Sequence, residues 1–124
     1  MTRPAIAKWG SISPMAARLT ADFWVRAYMA RLALHNIPVF VRSKGDATAG
    51  AVMVIVNTLD GRAKMMQRAL AADGGREWAV AAEGSEADVE AALMRQRSFD
   101  PDLWVLEVED PEGRALLGDE GLEA

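Results

Sequence analysis

Phe99-Asp100-Pro101-Asp102-Leu103-Trp104-Val105-Leu106-Glu107-Val108-Glu109-Asp110 decides how this chain is read. Pro101 has no amide hydrogen and disfavours helix in the residue before it, so it ends whatever helix precedes it. From Leu103 to Glu109 the side chains alternate as a strand does. Trp104, Leu106 and Val108 share one face, and Leu103, Val105, Glu107 and Glu109 share the other. The tryptophan face is predicted to enter the core and the glutamate face to be half wet.

Upstream, Ser85 opens a helix with Asp88 three residues on, close to a capping box. Glu86, Asp88 and Glu90 fill its first turns and Arg95 and Arg97 its last, as the helix dipole favours. Val89, Ala92, Leu93 and Gln96 form its inward stripe. Further back lie four strand-like segments. Val39 to Arg42 is β-branched and aromatic. Ala51 to Asn57 is apolar without alternation, which predicts a strand buried on both faces. Asp60-Gly61 marks a hairpin turn, followed by the basic segment Arg62 to Arg68. Asp73-Gly74-Gly75 turns the chain again, and Glu77 to Ala82 alternates around Trp78 and Val80.

A first helix runs from an N-cap at Thr20 to about Asn36, with Asn36 at the C′ position and Pro38 forbidding continuation. It is apolar nearly all round. Phe23, Ala27, Ala30 and Leu34 make one stripe, and Val25, Met29 and Leu32 another. Trp24, Tyr28, Arg31 and His35 lie between them and form a candidate interaction surface. A helix with this pattern is either central or covered by a partner, and the Val25, Met29, Leu32 stripe is expected near the axis of a homodimer.

These elements predict an α+β domain over residues 18–117, in the order α-β-β-β-β-α-β. The expected sheet is an antiparallel one of about five strands with two helices packed on one face. Residues 1–17 lack an apolar period and are expected to be a flexible tail, and residues 118–124 a frayed acidic end.

Of the 63 hydrophobic residues in 124, 23 are alanine, leaving 40 larger ones, enough for one core. There is no cysteine, which excludes disulfides, cysteine–zinc sites and thiol nucleophiles and agrees with a reducing, cytoplasmic compartment. No run approaches the length of a membrane helix, so no membrane partner is expected. The net charge of −4 hides a split. Residues 1–68 carry 10 basic and 3 acidic residues, a net of +7, and residues 69–124 carry 4 and 15, a net of −11. Basic and acidic strands lying side by side would neutralise one another.

Several of these segments together resemble an uncharacterised bacterial family, domain of unknown function 1491. They are Phe23-Trp24-Val25-Arg26-Ala27-Tyr28 with Arg31-Leu32, then Gly45-Asp46, Ala49-Gly50-Ala51-Val52 and Asn57-Thr58-Leu59-Asp60-Gly61. The segment Phe99 to Val105 with Glu107-Val108-Glu109-Asp110 completes the set. The resemblance covers roughly residues 15–112. It implies a compact cytoplasmic protein of about this size and assigns no catalytic role to any residue.

Four features bear on chemistry. Asp100, Asp102, Glu107 and Glu109 form a candidate acidic cluster, as a Mg²⁺-dependent hydrolase would need. Extended chain rises about 3.3 Å per residue, which puts Asp102 and Glu109 roughly 20 Å apart, too far for one ion. Arg62, Lys64 or Arg68 are the expected neighbours of the glutamates. Gly45 to Gly50 has the outer spacing of a phosphate loop but lacks its lysine, and reads as a hairpin loop. His35, the lone histidine, is explained by a helix C-terminus. Trp9, Trp24, Arg26, Arg31, Arg42 and Lys44 interleave aromatic and basic residues as a nucleic-acid-binding module does, but the acidic half opposes phosphate. The expectation is a non-catalytic protein acting through protein–protein contact, with an unidentified protein or a second copy as partner. Catalytic residues, metal and cofactors are expected to be none, and a nucleic-acid partner is disfavoured.

Overall fold

The structure is a computed structural model and describes residues 19–70, 72–74 and 76–118. Residues 1–17 and 119–124, expected to be tail and frayed end, lie outside the described residues. The elements follow the predicted order: α1 (Ala21–Leu34), β1 (Val39–Ser43), β2 (Val52–Asn57), β3 (Arg62–Leu70), β4 (Arg76–Ser85), α2 (Glu86–Phe99) and β5 (Trp104–Glu109).

The caps form where the sequence places them. The Thr20 hydroxyl accepts from the Phe23 amide at 3.2 Å, and the Ser85 hydroxyl from the Asp88 amide at 3.0 Å. Asn36 takes a left-handed φ of 58° just past α1. Its amide donates to Ala33 O and that of Ile37 to Leu32 O, which closes a Schellman motif and turns Ile37 into the core.

The five strands form one sheet in the order β1-β5-β2-β3-β4. Two expectations are corrected here. The sheet is not wholly antiparallel, because β5 runs parallel to β2 while it is antiparallel to β1. The strands β2, β3 and β4 form a meander, but β1 does not join it: β5 lies between β1 and β2. The segment from Lys44 to Gly50 is therefore no hairpin loop. It crosses the start of β5 to connect two strands that never pair.

A further correction concerns the helices, which do not share one face of the sheet. Alternation sends Val54, Val56, Trp104, Leu106 and Val108 to one side, where Trp24, Val25, Tyr28 and Leu32 of α1 cover them. Met53, Ile55, Met65 and Val105 point to the other side, against Val89 and Leu93 of α2. The two central strands are apolar on both faces, and each face needs a cover to leave water. The larger apolar residues thus build two core layers about one sheet, where a single core was expected. The Glu107 side of β5 is wet at its C-terminal end only, since Leu103 and Val105 on the same face are buried.

After β5 the chain returns along α1. Asp110 accepts from Arg114 three times, at the amide (2.7 Å), Nε (3.1 Å) and Nη2 (2.9 Å), and its own amide donates to Asn57 O. The Tyr28 hydroxyl donates to Ala115 O at 2.6 Å, and Ala115, Leu116 and Leu117 pack on the α1-side core. The Arg114 guanidinium holds the Asp110 carboxyl below the usual carboxylate range. A carboxyl whose folded pKa is depressed contributes stability above its unfolded pKa of about 3.9. That contribution is lost as pH falls through the lower folded value. Denaturation midpoints measured from pH 7 downward are expected to fall for the wild type below about pH 4. Asp110→Asn is expected to lower the midpoint at neutral pH and to flatten that acid limb. An unchanged limb in Asp110→Asn would assign the acid sensitivity to other carboxylates.

Candidate functional site

A cleft of about 420 Å³ opens on the α1 side of the sheet. It arises because α1 covers the middle of the sheet and leaves the far ends of β3 and β4 open. Its walls are Leu19, Thr20, Ala21 and Trp24 at the start of α1, residues 48–52 of the crossover loop and β2, and Arg68, Arg76 and Trp78 of the β3–β4 hairpin.

Each wall has a local cause. The hairpin register sets Arg68 opposite Trp78, so both side chains leave the same face of the sheet. The Arg68 guanidinium lies 5.5 Å from the Trp78 ring centroid, within cation–π range. Trp24 meets Trp78 at 5.6 Å, so two indoles line the cleft, and Tyr28 backs Trp24 from the core in a stack at 4.9 Å. The crossover loop is held by its own hydrogen bonds. Asp46 Oδ2 accepts from the amides of Thr48 and Ala49, and the Gly50 amide donates to Asp46 O. The Ala21 and Asp22 amides donate to Thr48 O and Ala47 O, so the loop also caps α1. These amides are spent on the fold, and the loop has no phosphate cradle like that of a nucleotide-binding loop.

The other sequence-derived candidates are dispersed. Of the expected interaction surface, Trp24 and Tyr28 are buried against the sheet, Arg31 is half-buried and His35 is exposed just past the helix. The backbone amide of His35 donates to Leu32 O. Val25 and Leu32 are buried within the chain and Met29 packs on the same core, so the stripe expected at a dimer axis is internal. The outward stripe is the other one: Phe23 is 49% and Leu34 83% exposed, with Ala30 exposed and Ala27 half-buried between them.

Asp100 and Asp102 lie before β5 and Glu107 and Glu109 at its far end. Asp100 Oδ1 accepts from the Asp102 amide, as expected around Pro101. Glu107 does not meet the basic third strand, because β5 neighbours β1 and β2. Its cation is Arg42 of β1, whose Nη1 donates to Glu107 Oε1 at 3.2 Å. Arg42 Nη2 bridges both Glu90 oxygens at 3.0 Å. Buried Asn57 donates to Glu107 Oε2 and Glu86 Oε1 and completes the network. Here the basic half of the chain meets the acidic half, and the exposure of the ion pairs keeps their worth small. The aromatic–basic set separates too: Trp24 is inside, Arg42 faces α2, and Trp9 lies outside the described residues. The residues that sequence reasoning did not select are Arg68, Arg76 and Trp78. Reflection of the chain about Asp73 would have paired Arg68 with Trp78.

An α+β domain with a mixed five-stranded sheet, one helix on each face and a cleft at the open end of one hairpin is the class that this geometry defines. The family described as "protein of unknown function (DUF1491)" matches residues 19–118, and the chain belongs to it. It is similar to the crystal structure of a DUF1491 family protein from Caulobacter crescentus CB15. The TM-score is 0.74 at 39% identity, covering 82% of this chain and 96% of that one. An NMR structure of a DUF1491 family protein from the same organism gives 0.69 at 39% identity, with 81% and 93% covered. The solution structure of protein Atu0922 from A. tumefaciens gives 0.68 at 30% identity, with 81% and 92% covered. A comparison with curated proteins gives no match. No helix among the described residues is long and apolar enough to cross a membrane.

Proposed function

We propose that this chain is a non-catalytic cytoplasmic protein that acts through protein–protein contact, with a second copy of itself as partner. The outward stripe of α1 carries this reading. Phe23, Ala27, Ala30 and Leu34 stand at i, i+4, i+7 and i+11, the spacing of a helix–helix seam. A two-fold axis between Ala27 and Ala30 sets Phe23 of one copy against Leu34 of the other, and the two alanines of one copy against those of the other. Large residues at the ends and small ones in the middle allow close approach, toward the 8 Å end of the range of helix spacings. An isologous interface of this kind needs one patch that complements itself.

Sedimentation equilibrium at micromolar concentration tests the reading. A dimer is expected, and Leu34→Glu is expected to shift it at least tenfold toward monomer, since taking a carboxylate out of water into an apolar seam is costly. Leu34 is largely exposed, so the variant monomer should keep its melting behaviour. A wild-type chain that sediments as a monomer overturns the homodimer.

A further inference from the structure

We propose that the cleft between the start of α1 and the β3–β4 hairpin binds a small amphiphilic organic anion, with an acidic head at Arg68 and Arg76 and an apolar body against Trp78, Leu19 and Val52. The inference goes beyond self-association, which uses the outward face of α1. Three observations carry it together. The volume of about 420 Å³ lies within the range of small-molecule sites and is too large for a packing void. The walls combine apolar and aromatic surface with two guanidiniums, and no lining residue is acidic. In a chain of net charge −4 a lining whose charged side chains, among the described residues, are both guanidiniums favours an anion over a cation.

Arg68 is held over the Trp78 ring, which fixes its direction and leaves less freedom to lose on binding. Arg76 is exposed at the rim, where it can meet a head group entering from solvent. Guanidinium binds carboxylate and phosphate by the same bidentate geometry, so either head suits the site. The hydroxyls of Thr20 and Thr48 at the wall offer further hydrogen bonds. The Ala21, Thr48, Ala49 and Gly50 amides are already used within the fold, so the arginines supply the main polar recognition.

Titration of the full chain with anilinonaphthalene sulfonate, an aromatic anion whose emission rises in apolar surroundings, tests the site. Saturable one-to-one binding is expected, with energy transfer from tryptophan and weakening at high salt. Arg76→Glu is expected to lower the affinity about tenfold or more, the scale of a lost charge-assisted contact, while the melting temperature holds. The uncharged N-phenylnaphthylamine serves as control and should show no such loss. Decanoate and naphthyl phosphate, competing in separate arms, distinguish a carboxylate source from a phosphate source. Displacement by either supports the proposal and displacement by neither overturns it. Absence of saturable binding, or equal affinity in Arg76→Glu, also overturns it. Equal binding of the uncharged analogue would reduce the cleft to a plain apolar groove and overturn it as an anion site.

Discussion

Replacing Trp104 by alanine is expected to destabilise the protein by about 3–5 kcal/mol, the range for a large buried aromatic truncation. Trp104 is among the largest fully buried side chains, at the start of the central strand β5. Its loss does more than open a cavity. The indole N–H donates to Asp46 O at 2.8 Å, and the Trp104 amide donates to Ala51 O at 2.8 Å. The side chain therefore fastens the crossover loop, which in turn caps α1. Chemical denaturation monitored by circular dichroism checks this. A loss below about 1 kcal/mol would mean that the strand start is peripheral to the fold.

Gly45→Ala is expected to be nearly as damaging, at about 2–4 kcal/mol, because it over-packs a site walled by backbone. A Cβ at Gly45 would fall 2.7 Å from both Trp104 N and Trp104 Cδ1 and would collide with Asp102 O. Neither the loop nor β5 can yield without breaking the Asp46 N–H to Asp102 O bond that joins them. Gly61 makes the contrast. Its φ of +88° favours glycine, but nothing lies within 4 Å of its Cβ position, and Gly61→Ala is expected to cost about 1 kcal/mol of backbone strain. If the two variants unfold at the same denaturant concentration, close approach is not what Gly45 provides.

Gly45 divides what is legible in the sequence from what is not. Two glycines five residues apart signal a loop, and they are there. That signal is local, whereas the reason for Gly45 is Asp102 and Trp104, which lie far along the chain. The same division runs through the molecule. Thr20, Ser85, Asn36 and Pro101 mark their elements because caps and breakers act within a few residues. The apolar run of β2 announced burial on both faces. Leu103 and Val105 beside Trp104 and Leu106 carried the same message for β5, but the two glutamates that follow made one face look wet. Which strands flank β5 depends on pairing across the chain, and its own residues hold no code for a parallel neighbour. Sheet order was therefore beyond reach, and with it the side taken by each helix. Read as a hairpin, the chain would put β1 beside β2 and both helices on one layer.

The candidate site was less legible for a related reason. Trp24 and Tyr28 stand out by composition, yet burial decides their role, and both are core. Arg68 and Trp78 meet only through hairpin register. The acidic residues around β5 drew attention by density. The structure divides them between a turn at one end and an Arg42 network at the other.

The position of β5 also governs the order of assembly. The last strand in the chain is an interior strand of the sheet, so β1 and β2 have no common edge to close until it arrives. An earlier intermediate can hold the β2-β3-β4 meander with α2, which rests on near-neighbour contacts. Docking α1 and β1 must wait for insertion of a strand that pairs with residues about 50 positions back, as in Val54 with Leu106. Non-local closure of this kind slows folding relative to a chain of equal size built from adjacent hairpins. It also leaves the β2 edge of the intermediate unpaired, open to the β5 segment of another molecule. Strand exchange between copies, favoured at high concentration during refolding, is the misassembly that this topology invites.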